Sequence, residues 1–173
     1  DVNRKPLVIH GARQVGKTWA LKYFGKVYFE DVAYFSLDKD ESGLCDIFKT
    51  TKDPRRIIQQ LSFLHGKKIN PQTTLLILDE IQECNEALNA LKYFCEEAPE
   101  YAVACAGSLL GIYLNHIGNS FPVGKVNHLS MYPLTFTEFL KTKDPNMYEY
   151  LCSIKEIAPL PQIFFDKLRE SFV

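Results

Sequence analysis

The sequence predicts a three-layer α/β fold, a mostly parallel sheet with helices on both faces. Two observations carry that prediction. Short apolar runs alternate with stretches of helical periodicity, the order that right-handed strand–helix–strand crossovers produce. The segment Thr73-Thr-Leu-Leu-Ile-Leu78 is apolar throughout its second half, without alternation. That is the pattern of a strand buried on both faces of a parallel sheet. With 173 residues, of which 46% are hydrophobic and 24% charged, the chain is long enough to bury a sizeable core.

The elements follow in order. Pro6-Leu-Val-Ile-His10 reads as a strand, followed by glycines and a helix from Lys17 to about Phe24. Val32 to Leu37 fits a second strand. Asp53-Pro54 places a capping side chain before a proline at the first helical position. Beyond it, Ile57, Ile58, Leu61 and Leu64 recur at helical spacing. The 73–78 strand is followed by a helix from Asn85 to about Ala98, which turns Ala87, Leu88, Leu91, Phe94 and Cys95 inward and stops at Pro99. Tyr101 to Ala106 is the next strand, and Val126 to Met131 a weaker one. Thr135-Phe-Thr-Glu138 has the capping-box pattern of a helix start. Near the end, Phe164, Phe165, Leu168 and Phe172 share one helical face.

Composition excludes several classes. Twenty basic against 21 acidic residues leave a net charge of −1, which gives no general attraction to nucleic acid or to anionic membranes. The apolar runs are too short to span a bilayer, and the first residues do not form a signal peptide. The five cysteines, at 45, 84, 95, 105 and 152, are odd in number and form no CxxC pair. They are expected to be reduced thiols of a cytoplasmic protein. The four histidines are scattered, so no metal-ligand cluster is expected. Both ends read as cut, and the chain is expected to be part of a longer protein. Residues 1–140 would form one domain, and 141–173 a helical extension leading toward a further C-terminal domain.

The strongest chemical signal is Gly11-Ala12-Arg13-Gln14-Val15-Gly16-Lys17-Thr18, which meets G-x-x-x-x-G-K-[ST] at every fixed position. An apolar strand ends at His10 and the chain must turn sharply into a helix. Glycine allows the dihedrals and close approaches that such a turn needs. Successive N–H groups then face one concave space, reinforced by the positive end of the helix. Lys17 would reach the β- and γ-phosphate oxygens, and the Thr18 hydroxyl would ligate Mg²⁺. Trp19, the only tryptophan, follows directly and is counted with the nucleotide-binding residues.

A second signal is Leu75-Leu-Ile-Leu-Asp79-Glu80, a buried strand ending in two acids. Asp79 would hold Mg²⁺ beside Thr18, and Glu80 would orient and deprotonate the attacking water. Ser108, closing the strand that should lie beside this one, would touch the water or the γ-phosphate, or cap a helix. Gln82, two places past Glu80, would line the same crevice or sit exposed in a loop. Arg13, counted with the nucleotide-binding residues, would touch the nucleotide or a neighbouring chain, a solvated loop position being the plainer expectation for it. No Asn-Lys-x-Asp guanine reader and no G-x-G-x-x-G occurs, which favours ATP as the ligand.

These strings resemble, in order, those of the prokaryotic AAA-like P-loop ATPases related to the archaeal ATPases and signal-transduction NTPases. The resemblance rests on residues 11–18, Leu78-Asp-Glu-Ile-Gln82, Leu91-Lys-Tyr-Phe94, Ala106-Gly-Ser108 and Tyr132-Pro-Leu-Thr-Phe-Thr-Glu-Phe139, and runs from about Lys5 to Leu140. It implies a P-loop NTPase core of the additional-strand catalytic-Glu type, with the Ser108 strand between the phosphate-loop strand and the Asp79 strand. It also implies ATP or ADP with Mg²⁺ as ligands, Ser108 as the γ-phosphate sensor, and a C-terminal domain in cis. One departure stands out: Gly124-Lys125 occupies the place of a Gly-Arg pair. Lysine lacks the planar bidentate contact to phosphate that arginine makes.

The expected activity is therefore Mg²⁺-dependent ATP binding with slow hydrolysis, with Lys17, Glu80 and Ser108 as the catalytic groups. The hydrolysis would drive a conformational change in the attached domain or in a partner, a second copy of the chain included. The alternative is a switch in which nucleotide exchange carries the information. A small-molecule kinase is disfavoured, because no Arg-rich lid segment follows Ser108.

Overall fold

A computed structural model describes residues 4–38, 43–108, 124–155, 159 and 161–171. They group into two compact units, Asp1–Pro133 and Leu134–Val173.

The first unit is built on five strands, β1 (Leu7–His10), β2 (Asp31–Ser36), β3 (Thr74–Asp79), β4 (Ala102–Gly107) and β5 (Asn127–Ser130). They pair in the order β2-β3-β4-β1-β5, and every pairing is parallel. Among the described residues, four α-helices accompany them, α1 (Lys17–Tyr28), α2 (Leu44–Thr50), α3 (Pro54–His65) and α4 (Asn85–Glu97). β3 and β4 are buried at every position, as the unbroken apolar run predicts. Their side chains alternate between two cores. Leu76, Leu78, Val103 and Cys105 join Ile57, Leu61, Leu91 and Phe94 of α3 and α4 on one face. Leu75, Ile77, Ala104 and Ala106 join Leu21 of α1 on the other.

The expected elements appear within a few residues of their predicted ends, with one extension. α1 runs four residues beyond Phe24, through a buried Gly25. A Cβ there would come within 2.6 Å of Val32 Cγ2 and 3.1 Å of Leu75 Cδ2, so the missing side chain lets the helix lie close against the sheet. Asp53 caps α3 by accepting from the Arg55 N–H at 2.9 Å, as its position before Pro54 predicts. The short helix α2 has no counterpart in the sequence reading, since seven residues give little periodicity to detect.

The cysteine expectation is corrected. Cys45, in α2, and Cys84, just before α4, form a disulfide across a sequence separation of 39, with their Cα atoms 5.9 Å apart. Spacing alone could not pair two residues that the packing of α2 against α4 brings together. Glu86 lies close enough that three potential ligand atoms fall within 4.8 Å of one another, but the two sulfurs are bonded to each other. Cys105 is buried, which pushes its thiol pKa up, Cys95 is half-buried and Cys152 is exposed.

The second unit contains α5 (Phe136–Lys143), α6 (Pro145–Ser153) and α7 (Gln162–Ser171). Thr135 and Glu138 form the predicted capping box at the start of α5. Leu140, Met147 and Phe164 are its buried core, with Tyr148 and Leu151 packed against them. Of the predicted C-terminal apolar face, Phe164 is buried and Phe165 is 45% exposed, while the Leu168 side chain and Phe172 lie outside the described residues. By its contacts α5 groups with the later helices. Among the described residues no helix is long and apolar enough to cross a membrane.

Candidate functional site

The parallel register sets the carboxyl ends of β1, β3 and β4 side by side. His10 pairs with Gly107, Leu78 with Cys105, and Ser36 with Asp79. Gly11, Asp79 and Ser108 therefore emerge at one edge of the sheet, where a parallel α/β fold opens its binding crevice.

Between β1 and α1 the loop adopts conformations that favour anion binding. Gln14 and Gly16 take left-handed backbones at φ 63° and 94°. Left-handed residues within such a turn direct neighbouring N–H groups into a shared concavity. No side chain caps the N-terminus of α1 and its first turn carries no acid, so its positive end is left for a bound anion. Gly11 is required for a different reason: a Cβ would collide with the Met131 carbonyl oxygen at the end of β5. The Lys17 side chain is buried, and its ammonium donates to the carbonyl oxygens of Gly11 at 3.0 Å and Ala12 at 2.6 Å. The cation thus lies across the loop. Ala12 and Trp19 are exposed and Val15 is half-buried; the Trp19 ring stacks on Tyr23 at 5.1 Å.

Thr18 and Asp79, 61 residues apart, meet directly: Thr18 Oγ1 donates to Asp79 Oδ2 at 2.8 Å. The Tyr34 hydroxyl donates to the same oxygen at 2.9 Å, and the Glu80 N–H donates to Oδ1 at 3.1 Å. Burial, reinforced by the bond to Asp79, pushes the Tyr34 phenol pKa up to about 12.

Glu80 has a left-handed backbone, φ 50°, a conformation that costs a non-glycine residue roughly 1–3 kcal/mol and gathers at functional sites. Its Oε2 accepts from Gln82 Nε2 at 2.6 Å, from Ser108 Oγ at 3.0 Å and from the Ser108 N–H at 3.4 Å. Burial raises its pKa, but those donors together with the Lys17 charge outweigh the burial, and the net shift is downward. Gln82 is buried beside Glu80, which fits the crevice-lining reading over the exposed one, and its Oε1 has no hydrogen-bond partner among the described residues. Arg13 is exposed, with Nε 3.5 Å from Ser108 Oγ. Lys125 pairs with Glu96 of α4 at 2.9 Å.

The arrangement gathers Lys17, Thr18, Asp79, Glu80 and Ser108 at one edge, as the sequence reading expected. Sequence reasoning missed Tyr34, whose place in β2 carries no motif.

The family described as "AAA domain" matches residues 3–140, most of the chain, and the chain belongs to that family. It is an AAA-like P-loop ATPase domain with a three-layer α/β fold, and the family carries nucleotide binding. No curated protein sequence matches it. Among solved structures, the chain resembles the structure of C. elegans PCH-2 at 13% identity and a TM-score of 0.44, with 91% of this chain and 43% of that one covered. It also resembles the structure of Drosophila ORC bound to AT-rich DNA and Cdc6, at 12% identity and a TM-score of 0.47, with coverage of 97% and 69%. The chain thus spans less than half of the PCH-2 chain it matches.

Proposed function

We propose that this AAA domain binds ATP with Mg²⁺, hydrolyses it slowly when alone, and uses the cycle to shift an attached C-terminal domain or a partner. The observation that carries the reading is the meeting of Thr18 and Asp79 at 2.8 Å beside the uncapped start of α1. A hydroxyl and a carboxylate are oxygen donors suited to a hard divalent cation. Bound there, Mg²⁺ would neutralise charge on the phosphates. The residues would divide the work. The main chain of Gly11 to Thr18 and the ammonium of Lys17 hold the phosphates, Thr18 and Asp79 hold the metal, and Trp19 lies next to the nucleotide. Glu80, kept ionised, accepts a proton from the attacking water, and Ser108 senses the γ-phosphate.

Slow turnover follows from the cations. An arginine finger is worth about 10³–10⁵ in rate. Lys125 pairs with Glu96, and Arg55 and Arg56 pair with Glu100 and Asp53. That leaves Arg13, inside the phosphate loop and 3.5 Å from Ser108 Oγ, as the described arginine beside the site. The slow-turnover reading takes it as a loop residue and not as a finger reaching in from outside. Titration calorimetry with Mg·ATP, alongside Trp19 emission, tests the reading. Saturable binding that Lys17→Ala abolishes is the expected result, and absence of binding by the unsubstituted protein would refute it.

One observation favours the exchange switch. Among the described residues, the three hydrogen bonds to the Glu80 carboxylate fall on a single oxygen and tie it to Gln82 and Ser108. If turnover carries the function, Glu80→Gln traps bound ATP and abolishes activity. A pure switch keeps working.

A further inference from the structure

The bonds around Asp79 form a closed circuit through three elements. Thr18 and Lys22 lie four residues apart on α1 and so face the same side of the helix. Thr18 reaches Asp79 Oδ2 at the end of β3. Lys22 sets its ammonium 3.3 Å from the centre of the Tyr34 ring in β2, and the Tyr34 hydroxyl returns to Asp79 Oδ2 at 2.9 Å. β2 is paired with β3 along its full length, with Ser36 opposite Asp79, so the phenol is held by the sheet as well as by the cation over its face.

We propose that Tyr34 is the positioning residue for the Asp79 carboxylate, and that it sets the affinity of the site for a divalent cation. The inference rests on the function proposed above. Two protons now point at Oδ2, from Thr18 and from Tyr34. When Thr18 turns its lone pair to a metal, its proton leaves Oδ2. Tyr34 has no such second duty, and its bond remains. With the Glu80 N–H on Oδ1, it fixes the plane of the carboxylate and the direction in which Oδ2 faces the metal or a metal-bound water. Such outer hydrogen bonds to ligating groups are typically worth about 10–100-fold in metal affinity. The ammonium over the ring withdraws electron density from the phenol and makes its O–H a better donor. Cation–π contacts of this kind are worth about two- to fivefold at exposed sites.

The test uses Tyr34→Phe, which keeps the ring under Lys22 and removes only the donor. ADP and ATP affinities are measured by calorimetry across a MgCl₂ series and in EDTA, with direct MnCl₂ binding followed by its paramagnetic signal. The expected result is a Mg²⁺ midpoint raised about 10–100-fold, with Mn²⁺ binding weakened in parallel. Affinity for ATP in EDTA should stay within about twofold, since the phosphate loop is untouched. Lys22→Met, which leaves the phenol in place, should raise the midpoint by a smaller factor, about two- to fivefold. An unchanged Mg²⁺ midpoint in Tyr34→Phe, with wild-type Mg·ATP binding intact, overturns this inference and leaves the proposed function standing. So does equal weakening with and without metal, the signature of a structural role only. Loss of Mg²⁺ dependence in the unsubstituted protein overturns both readings. Should Tyr34→Phe fail to fold, the Lys22→Met midpoint decides alone, and no shift there counts against the proposal.

Discussion

Replacing Gly11 with alanine separates two costs that usually come together, the conformation of a backbone and the space around it. A methyl at Gly11 would overlap the Met131 carbonyl oxygen and sit 3.0 Å from its carbonyl carbon. The obstacle is main chain, so no side-chain rotation relieves it. Met131 is also tied to β1 through its N–H on the His10 carbonyl at 2.8 Å. Relief therefore requires β5 to move off β1. Overpacking of this kind costs about 1–3 kcal/mol, and it comes on top of the penalty for a backbone at φ 157°, which side chains rarely adopt. Gly66, which ends α3 at φ 75°, has nothing within 4 Å of a built Cβ. Alanine there pays only the left-handed penalty, about 1–2 kcal/mol. Urea unfolding of both variants without nucleotide is the assay. At a slope of about 2 kcal/mol per molar, an added cost of about 2 kcal/mol puts the Gly11→Ala midpoint about 1 M below that of Gly66→Ala. Mg·ATP affinity should fall in Gly11→Ala only, because the displaced segment begins the phosphate loop. Equal midpoints would show that β5 yields freely, and would remove the steric reason for glycine at this position.

Two further expectations concern the first unit. The Cys45–Cys84 bridge, with a sequence separation of 39, should contribute about 4 kcal/mol by the chain-entropy relation, so a reductant or paired serine substitutions should lower the urea midpoint. Thiol titration of the denatured, unreduced protein should count three reactive groups among five cysteines; five would refute the pairing. Asp31, at the start of β2, accepts from His65 at 2.7 Å, and that hydrogen bond holds its pKa below the usual carboxylate value against a smaller effect of burial. A lowered folded pKa gives stability that is present above the unfolded value of 3.8 and lost as pH falls through the folded one. The melting-temperature gap between wild type and Asp31→Asn, worth about 1 kcal/mol for this half-buried pair at the protein surface, should therefore close below pH 4. A gap that persists at pH 2.5 would assign it to packing.

Much of the fold and of the candidate site was legible in the sequence, because each legible part is written over a short window. The phosphate loop is eight consecutive residues with glycines where the turn needs them, and the Asp79-Glu80 pair ends an apolar run whose burial on both faces is its own signature. The caps at Asp53 and Thr135 are contacts two or three residues long. What the tertiary structure alone decided are contacts between segments whose spacing carries no periodicity. Tyr34 reaches Asp79 across 45 residues, Cys45 and Cys84 join across 39, and Lys125 finds Glu96 across a crossover. The physical reason is that hydrophobic period and turn chemistry report which elements form and which way each faces. The partner of a polar group depends instead on strand order and register, and those are set by the packing of both sheet faces at once.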